Sequence, residues 1–173
     1  LLVLAAVASI ILGMGVPVTA TYIILVILLA PALVELGIPE LAAHLFLFYF
    51  GTLSFLTPPV CISVFVAAAL AQADVMKTAL FSMRLAVVAY LLPFFFVFNQ
   101  NLLLEGTWDV LLRTVIGAAG SIMLLSAGLA GYFRGHLSWW ARILVVAAGL
   151  AGLKWGIYSW LGVIASYALI AIL

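Results

Sequence analysis

The sequence predicts an all-α integral membrane protein whose transmembrane helices include a re-entrant hairpin and a discontinuous helix, and three observations support this. The first is composition: 69% of the 173 residues are hydrophobic, 6% are charged and the mean hydropathy is +1.47. Soluble globular domains run near roughly 45–50% apolar and about 25% charged. The second is the placement of the six Lys and Arg and the five Asp and Glu, which fall mostly in polar gaps between apolar runs because an ion in hydrocarbon is costly. Lys154 is the main exception. The third is that two of the apolar runs are interrupted by clusters of Gly, Pro and hydroxyl residues.

With about 20 apolar residues per crossing, the runs are Leu1–Leu36, Leu41–Ala71, Leu85–Leu104, Val110–Phe133 and Ile143–Leu173. Leu1–Leu36 is too long for one ordinary span and is interrupted at Gly13-Met14-Gly15-Val16-Pro17, leaving two rather short arms. That pattern suits a re-entrant hairpin or a discontinuous helix. No charged segment precedes Leu1–Leu12, so it does not read as a signal peptide, and the chain reads as a piece of something longer. Leu41–Ala71 is broken over Gly51–Pro59. Gln72–Arg84, with Lys77 and Arg84, reads as a connection between spans, as does Arg134–Arg142 with its two arginines. Their positive charge places both on the cytoplasmic side and Glu35–Glu40 outside, so a hairpin over Leu1–Leu36 opens outward. Ile143–Leu173, with Gly152, Lys154 and Gly156, is either one long tilted helix or two short ones.

The remaining features have structural readings. Trp108, Trp139, Trp140 and Trp155 stand near charges as interfacial anchors. Gly117-Ala118-Ala119-Gly120 and Ala147-Ala148-Gly149, with Gly152, permit close helix approach. Pro31 and Pro93 read as packed kinks, and the lone Cys61 as a small buried hydrophobe. The net charge of +1 offers no basic run for nucleic acid.

The interruptions carry the chemistry. Proline lacks an amide hydrogen, so within a helix Pro58 and Pro59 would free the carbonyls of Ser54 and Phe55, and Pro17 that of Gly13. In hydrocarbon such oxygens need partners. Hydroxyls stand beside them at Thr52, Ser54 and Thr57 in one break and at Thr19 and Thr21 in the other. Carbonyls and hydroxyls make an uncharged, all-oxygen environment suited to a hard monovalent cation such as sodium. Neither break contains a carboxylate, which argues against a divalent metal site. Thr57 followed by Pro58-Pro59 reads as the N-cap and first turn of a new half-helix, whose N–H groups would attract a carboxylate.

Two such interruptions in adjacent apolar runs are the signal expected for a transporter binding site near the bilayer midplane, and two other classes compete with that reading. An intramembrane enzyme would have to draw on His44, Ser54, Cys61 and His136, yet no acid pairs with a histidine within a span, so the chain is not read as an enzyme. A structural membrane subunit or channel without coupled transport would need only the small-residue helix faces.

At Gly13-Met14-Gly15-x-Pro17, Phe50-Gly51 with Leu56-Thr57-Pro58-Pro59, and Ala73-Asp74 with Lys77-Thr78, the sequence resembles the large membrane subunit of tripartite ATP-independent periplasmic (TRAP) transporters. It is closest to the branch in which small and large membrane subunits are fused. The resemblance covers about Leu1–Gly106 and is loose over Thr107–Leu173. It implies a C-terminal part of the transport domain at 1–106 (hairpin 1–36, broken helix 41–71, helix 85–104) and additional transmembrane helices at 107–173. The fold implied is one inverted repeat of an elevator-type transporter in the cytoplasmic (inner) membrane of a bacterium or archaeon. The activity implied is sodium-coupled symport of a carboxylate-containing small molecule delivered by a periplasmic binding protein. The first repeat and the fused small subunit, in the remainder of the same polypeptide, are the further partners, along with membrane lipid. Carried over to this chain, Na+ would take its ligands from Gly13, Met14, Gly15, Gly51, Thr52, Ser54 and Thr57. Thr19 and the backbone at Pro58, Pro59 and Val60 would face the substrate carboxylate.

Overall fold

A computed structural model describes residues 1–103, 107–133 and 135–155, without the side chains of 152–155. It divides into two compact units, Leu1–Phe98 and the part from Asn99 onward. By length and apolarity, two of the described helices can cross a membrane, or three spans result if one sharply bent helix pair is counted as a single span. The protein is thus a multi-pass membrane protein.

In the first unit, α1 (Leu2–Gly13) and α2 (Val18–Glu35) form the hairpin. Leu1–Val3 at the start of α1 and Leu36 and Ile38 beyond the end of α2 line one apolar groove, so the open ends of the two arms lie together and the turn at 14–17 is the tip. The second arm is longer than the sequence suggested. At 18 residues it is one of the two helices that pass as spans, at about 1.5 Å per residue. It ends in a Schellman cap: Gly37 takes φ +84°, its N–H donates to Val34 O, and Ile38 N–H donates to Leu33 O. Only a residue tolerant of positive φ closes a helix this way at low cost.

The broken helix consists of α3 (Glu40–Leu53) and α4 (Ile62–Leu70). Helix α3 is the centre of the unit and packs against α1, α2 and α6 (Val87–Phe98). Phe46 and Phe50 of α3 meet Phe94 of α6 edge-on at 5.3 and 5.5 Å between ring centroids, a geometry favoured by the ring quadrupole. Leu25, Leu33, Phe46 and Leu47 are fully buried, whereas Val3, Leu4, Ile23, Ile27 and Leu28 lie on exposed apolar faces, as surfaces in hydrocarbon do.

Two further expectations fail. Gln72–Arg84 is not a plain connection: α5 (Val75–Leu85) occupies most of it, bent by 118° from α4. Asp74 caps α5 by accepting from Lys77 N–H at 2.8 Å, and Gln72 adopts φ +51° to close α4, with Ala73 N–H donating to Ala68 O. The two cations that marked a loop are carried on an amphipathic helix instead. The helix expected over 85–104 is α6, which stops at Phe98. The chain then turns at Asn99, whose Oδ1 accepts from Asn101 N–H, into a 3-10 helix at Gln100–Leu103. Pro31 and Pro93 both lie inside helices that continue.

In the second unit, α7 (Trp108–Ala130) packs along α8 (Trp139–Trp155). Two short antiparallel strands, β1 (Tyr132–Phe133) and β2 (Gly135–His136), join them, a small exception to the all-α expectation. The small residues allow close approach. A Cβ on Gly128 would lie 2.6 Å from Val146 Cγ2, and one on Gly149 would lie 2.7 Å from Leu125 Cγ. Arg142 reaches back from α8 and donates to Gly128 O and Leu129 O, each at 3.1 Å, so a cation serves the last carbonyls of α7. Trp108, Trp139 and Trp140 are all highly exposed, in keeping with interfacial anchoring. Whether the final run forms one helix or two concerns residues 156–173, which lie outside the described residues, as does the side chain of Trp155.

Candidate functional site

The break in the second run spans Ser54 to Cys61, between α3 and α4. Hydroxyls close the end of α3: Thr52 Oγ1 donates to Phe48 O at 2.8 Å, Ser54 Oγ to Gly51 O at 2.6 Å, and Thr57 Oγ1 to Leu53 O at 2.7 Å. Three successive turns draw in the chain, with Phe55, Leu56 and Thr57 N–H donating to the carbonyls of Thr52, Leu53 and Ser54. The cis peptide Pro58–Pro59 follows. Cys61, buried with Val64, Ala79 and Leu56, takes φ +28° at the start of α4, a region that side-chain-bearing residues rarely occupy.

This geometry corrects two expectations. Thr57 does not cap a half-helix, because α4 begins only at Ile62 and the Thr57 hydroxyl turns back to the end of α3. Nor are the carbonyls opposite the prolines without partners. Ser54 O accepts from Thr57 N–H at 3.2 Å, Phe55 O from Ser63 N–H at 3.3 Å, and Gly13 O from Val16 N–H at 3.5 Å. The chain leaves the helix at these points, so backbone donors arrive from turns and from the first residues of α4, which a straight helix would not bring there.

The two interruptions meet. Gly13, the last residue of α1, lies against the end of α3 so closely that a Cβ on it would come within 2.7 Å of Ser54 Oγ and 2.8 Å of Gly51 O. Gly51 is approached less tightly from α2, where its own added Cβ would stand 3.0 Å from Leu25 Cδ1 and 3.1 Å from Thr21 Cγ2. Thr21 is buried, with its methyl toward Gly51 and its hydroxyl donating to Val16 O in the hairpin turn at 3.3 Å. Two glycines therefore bring both arms of the hairpin onto the broken end of α3 and place carbonyl and hydroxyl oxygens around one contact. Ser54 is 1% exposed.

The other predicted residues do not enter this contact. Met14 is partly buried at the tip, and Gly15 is exposed with φ +77° in the turn. Thr52 is exposed, with its hydroxyl engaged on its own helix. Thr57 lies further along and is tied to α6 through Tyr90 OH at 2.7 Å. Thr19 is exposed on the first turn of α2, while Pro58, Pro59 and Val60 sit in a turn closed by Cys61 N–H on Thr57 O at 3.2 Å. Sequence reasoning did not assign Val16 or Tyr90 to the site. A phenol inside an otherwise apolar run was the available signal for Tyr90, since a buried hydroxyl seeks a partner.

A family model described as tripartite ATP-independent periplasmic transporter, DctM component, matches residues 1–111, a stretch that includes both interruptions and the helices that hold them. No curated protein and no solved structure matches the chain. With a transporter family's model covering well over half of the sequence, and the two interruptions of that stretch joined in one contact, the chain belongs to the DctM component family of tripartite ATP-independent periplasmic transporters.

Proposed function

We propose that the chain forms part of the moving, ion-binding portion of a sodium-coupled symporter that takes up a carboxylate-containing small molecule. The observation that carries this reading is the contact of Gly13 with Gly51 O and Ser54 Oγ. It unites a hairpin tip with a helix break through oxygen atoms that bear no formal charge. A hard monovalent cation is attracted by such a donor set, and non-helical backbone within a membrane is tolerated where it lines such a site. Gly13, Gly51 and Ser54 are the core of the proposed ligand set, with Met14, Gly15, Thr52 and Thr57 around them. Thr19 Oγ1 and the N–H of Val60, in the turn shaped by Pro58 and Pro59, would supply donors for the substrate carboxylate. The working carrier would include a periplasmic binding protein that delivers the substrate, together with the first repeat and the fused small subunit, in an inner membrane. Movement would follow the elevator pattern that the family resemblance implies.

A second reading, a structural subunit or channel without coupled transport, draws on the backbone partners of Gly13 O, Ser54 O and Phe55 O, since a dry structural break also satisfies its carbonyls internally. One experiment separates the two. The carrier containing this chain is reconstituted in proteoliposomes with its binding protein, and uptake is measured with and without an inward sodium gradient. The symporter reading expects uptake to depend on the gradient, and uptake unaffected by sodium would refute it.

A further inference from the structure

Helix α6 lies outside both the hairpin and the broken helix, yet it contributes a polar atom to the break. Tyr90 OH is 2.7 Å from Thr57 Oγ1, and Thr57 Oγ1 is itself 2.7 Å from Leu53 O. A threonine hydroxyl has one proton and two acceptor sites. The proton of Thr57 is directed at Leu53 O, so in the second contact the phenol is the donor. The relay runs Tyr90 O–H to Thr57 Oγ1, then Thr57 O–H to Leu53 O, the carbonyl of the last residue of α3. Within this relay Thr57 keeps one acceptor site, and its direction is fixed by the other two bonds.

The phenol is held from behind. Tyr90 and Phe94 are one helical turn apart on α6, and Phe94 stacks edge-on against Phe46 and Phe50 of α3. Tyr90, Phe94 and Val97 all pack on the core centred on α3. The ring that carries the hydroxyl is therefore fixed by the same apolar contacts that join the two helices.

We propose that Tyr90 is a positioning residue for the cation site, orienting the Thr57 hydroxyl and, through it, the terminal carbonyl of α3. This inference rests on the sodium-coupled reading above and adds to it a residue from a helix outside the two interrupted elements. Removing the phenolic oxygen leaves the ring in place and takes away one of the two bonds that fix the Thr57 hydroxyl. A hydrogen bond of ordinary net strength corresponds to about a threefold to tenfold change in an equilibrium.

The test is a sodium titration of uptake by the reconstituted full carrier with its binding protein, comparing the unmodified protein with Tyr90→Phe, Thr57→Val and the double variant. The half-saturating sodium concentration does not depend on how much carrier folds, so a reduced yield of Tyr90→Phe does not obscure it. Tyr90→Phe is expected to raise that concentration by about threefold to tenfold and to change the ratio of sodium-driven to lithium-driven uptake. In the Thr57→Val background the same substitution should have little further effect, because partners in one relay are not additive. Tyr90→Phe with unchanged half-saturation and cation preference, or with its full effect retained in the Thr57→Val background, overturns the proposal and leaves sodium coupling standing. Uptake by the unmodified carrier that ignores sodium overturns both.

Discussion

Among the described residues, both the α7–α8 pair and the α1–α3 pair use glycine to come close together, and what each glycine meets is different. Where α7 crosses α8, the nearest atoms to Gly128 and Gly149 are side-chain carbons of Val146 and Leu125, with backbone atoms of Val146, Arg142 and Leu125 behind them, so closeness produces mainly dispersion contact between side chain and backbone. Where α1 meets α3, Gly13 faces Ser54 Oγ and Gly51 O, so the same economy of side chain produces proximity between polar atoms. In lipid there is no hydrophobic force between helices, and small residues matter because they allow close contact. The comparison shows that the small residue supplies only the approach. The atoms on the facing helix decide whether the result is packing or chemistry.

Four substitutions probe that contrast. Gly13→Ala has the largest expected effect: its Cβ would press on a backbone oxygen and a short buried side chain, and neither can swing away. Uptake by the reconstituted carrier should fall by about tenfold or more, corresponding to an overpacking cost of about 1.4 kcal/mol or above. Activity close to that of the unmodified protein would show that the Gly13 contact is mere packing. Gly128→Ala should act on stability instead. With Val146 Cγ2 at 2.6 Å and Val146 N at 3.2 Å from the new carbon, about 1–3 kcal/mol should be lost, visible as a lower unfolding temperature in detergent. Its half-saturating sodium concentration should match the unmodified carrier, and a shift there would break the distinction between the two glycine sites.

Ser54→Ala removes the hydroxyl that donates to Gly51 O while keeping the Cβ against Gly13. The expected result is a rise of about threefold to tenfold in the sodium concentration for half-maximal uptake; an unmoved sodium titration would take Ser54 out of the ligand set. Asp74→Ala is the smallest change, since it costs α5 its N-cap. About 1 kcal/mol of stability should go, measured as a modest drop in unfolding temperature with no change in ion dependence.

Much of the fold is readable because membrane insertion enforces it in the sequence. The hairpin is foreshadowed by Gly13 to Pro17 and the break by Gly51 to Pro59, since glycines, prolines and hydroxyls within an apolar run have few other reasons to cluster. Helix α5 was hidden because Lys77 and Arg84 satisfied a charge criterion that locates membrane edges without distinguishing a loop from an amphipathic helix. The end of α6 at Phe98 was hidden because Leu102, Leu103 and Leu104 prolong the hydropathy after Asn99 has already turned the chain. At the site itself, residue types pointed to Gly13, Gly51 and Ser54. They could not show that the carbonyls opposite Pro58 and Pro59 receive donors from the Thr57 turn and from the start of α4, nor that Tyr90 arrives from α6, because both depend on where the backbone goes after it leaves the helix.

The hairpin also has a mechanical character. Its two open ends lie beside Phe94 and Phe98 in one groove, while its tip touches the broken end of α3 through a residue with no side chain. An arm of 18 residues is about 27 Å long, and Leu25 and Leu33 seat it on the core around α3 along that length. Parting Gly13 from Ser54 would therefore disturb the buried faces of Ala5, Ala6, Leu25 and Leu33 as well, so the tip contact and the packing of both arms form one continuous seam.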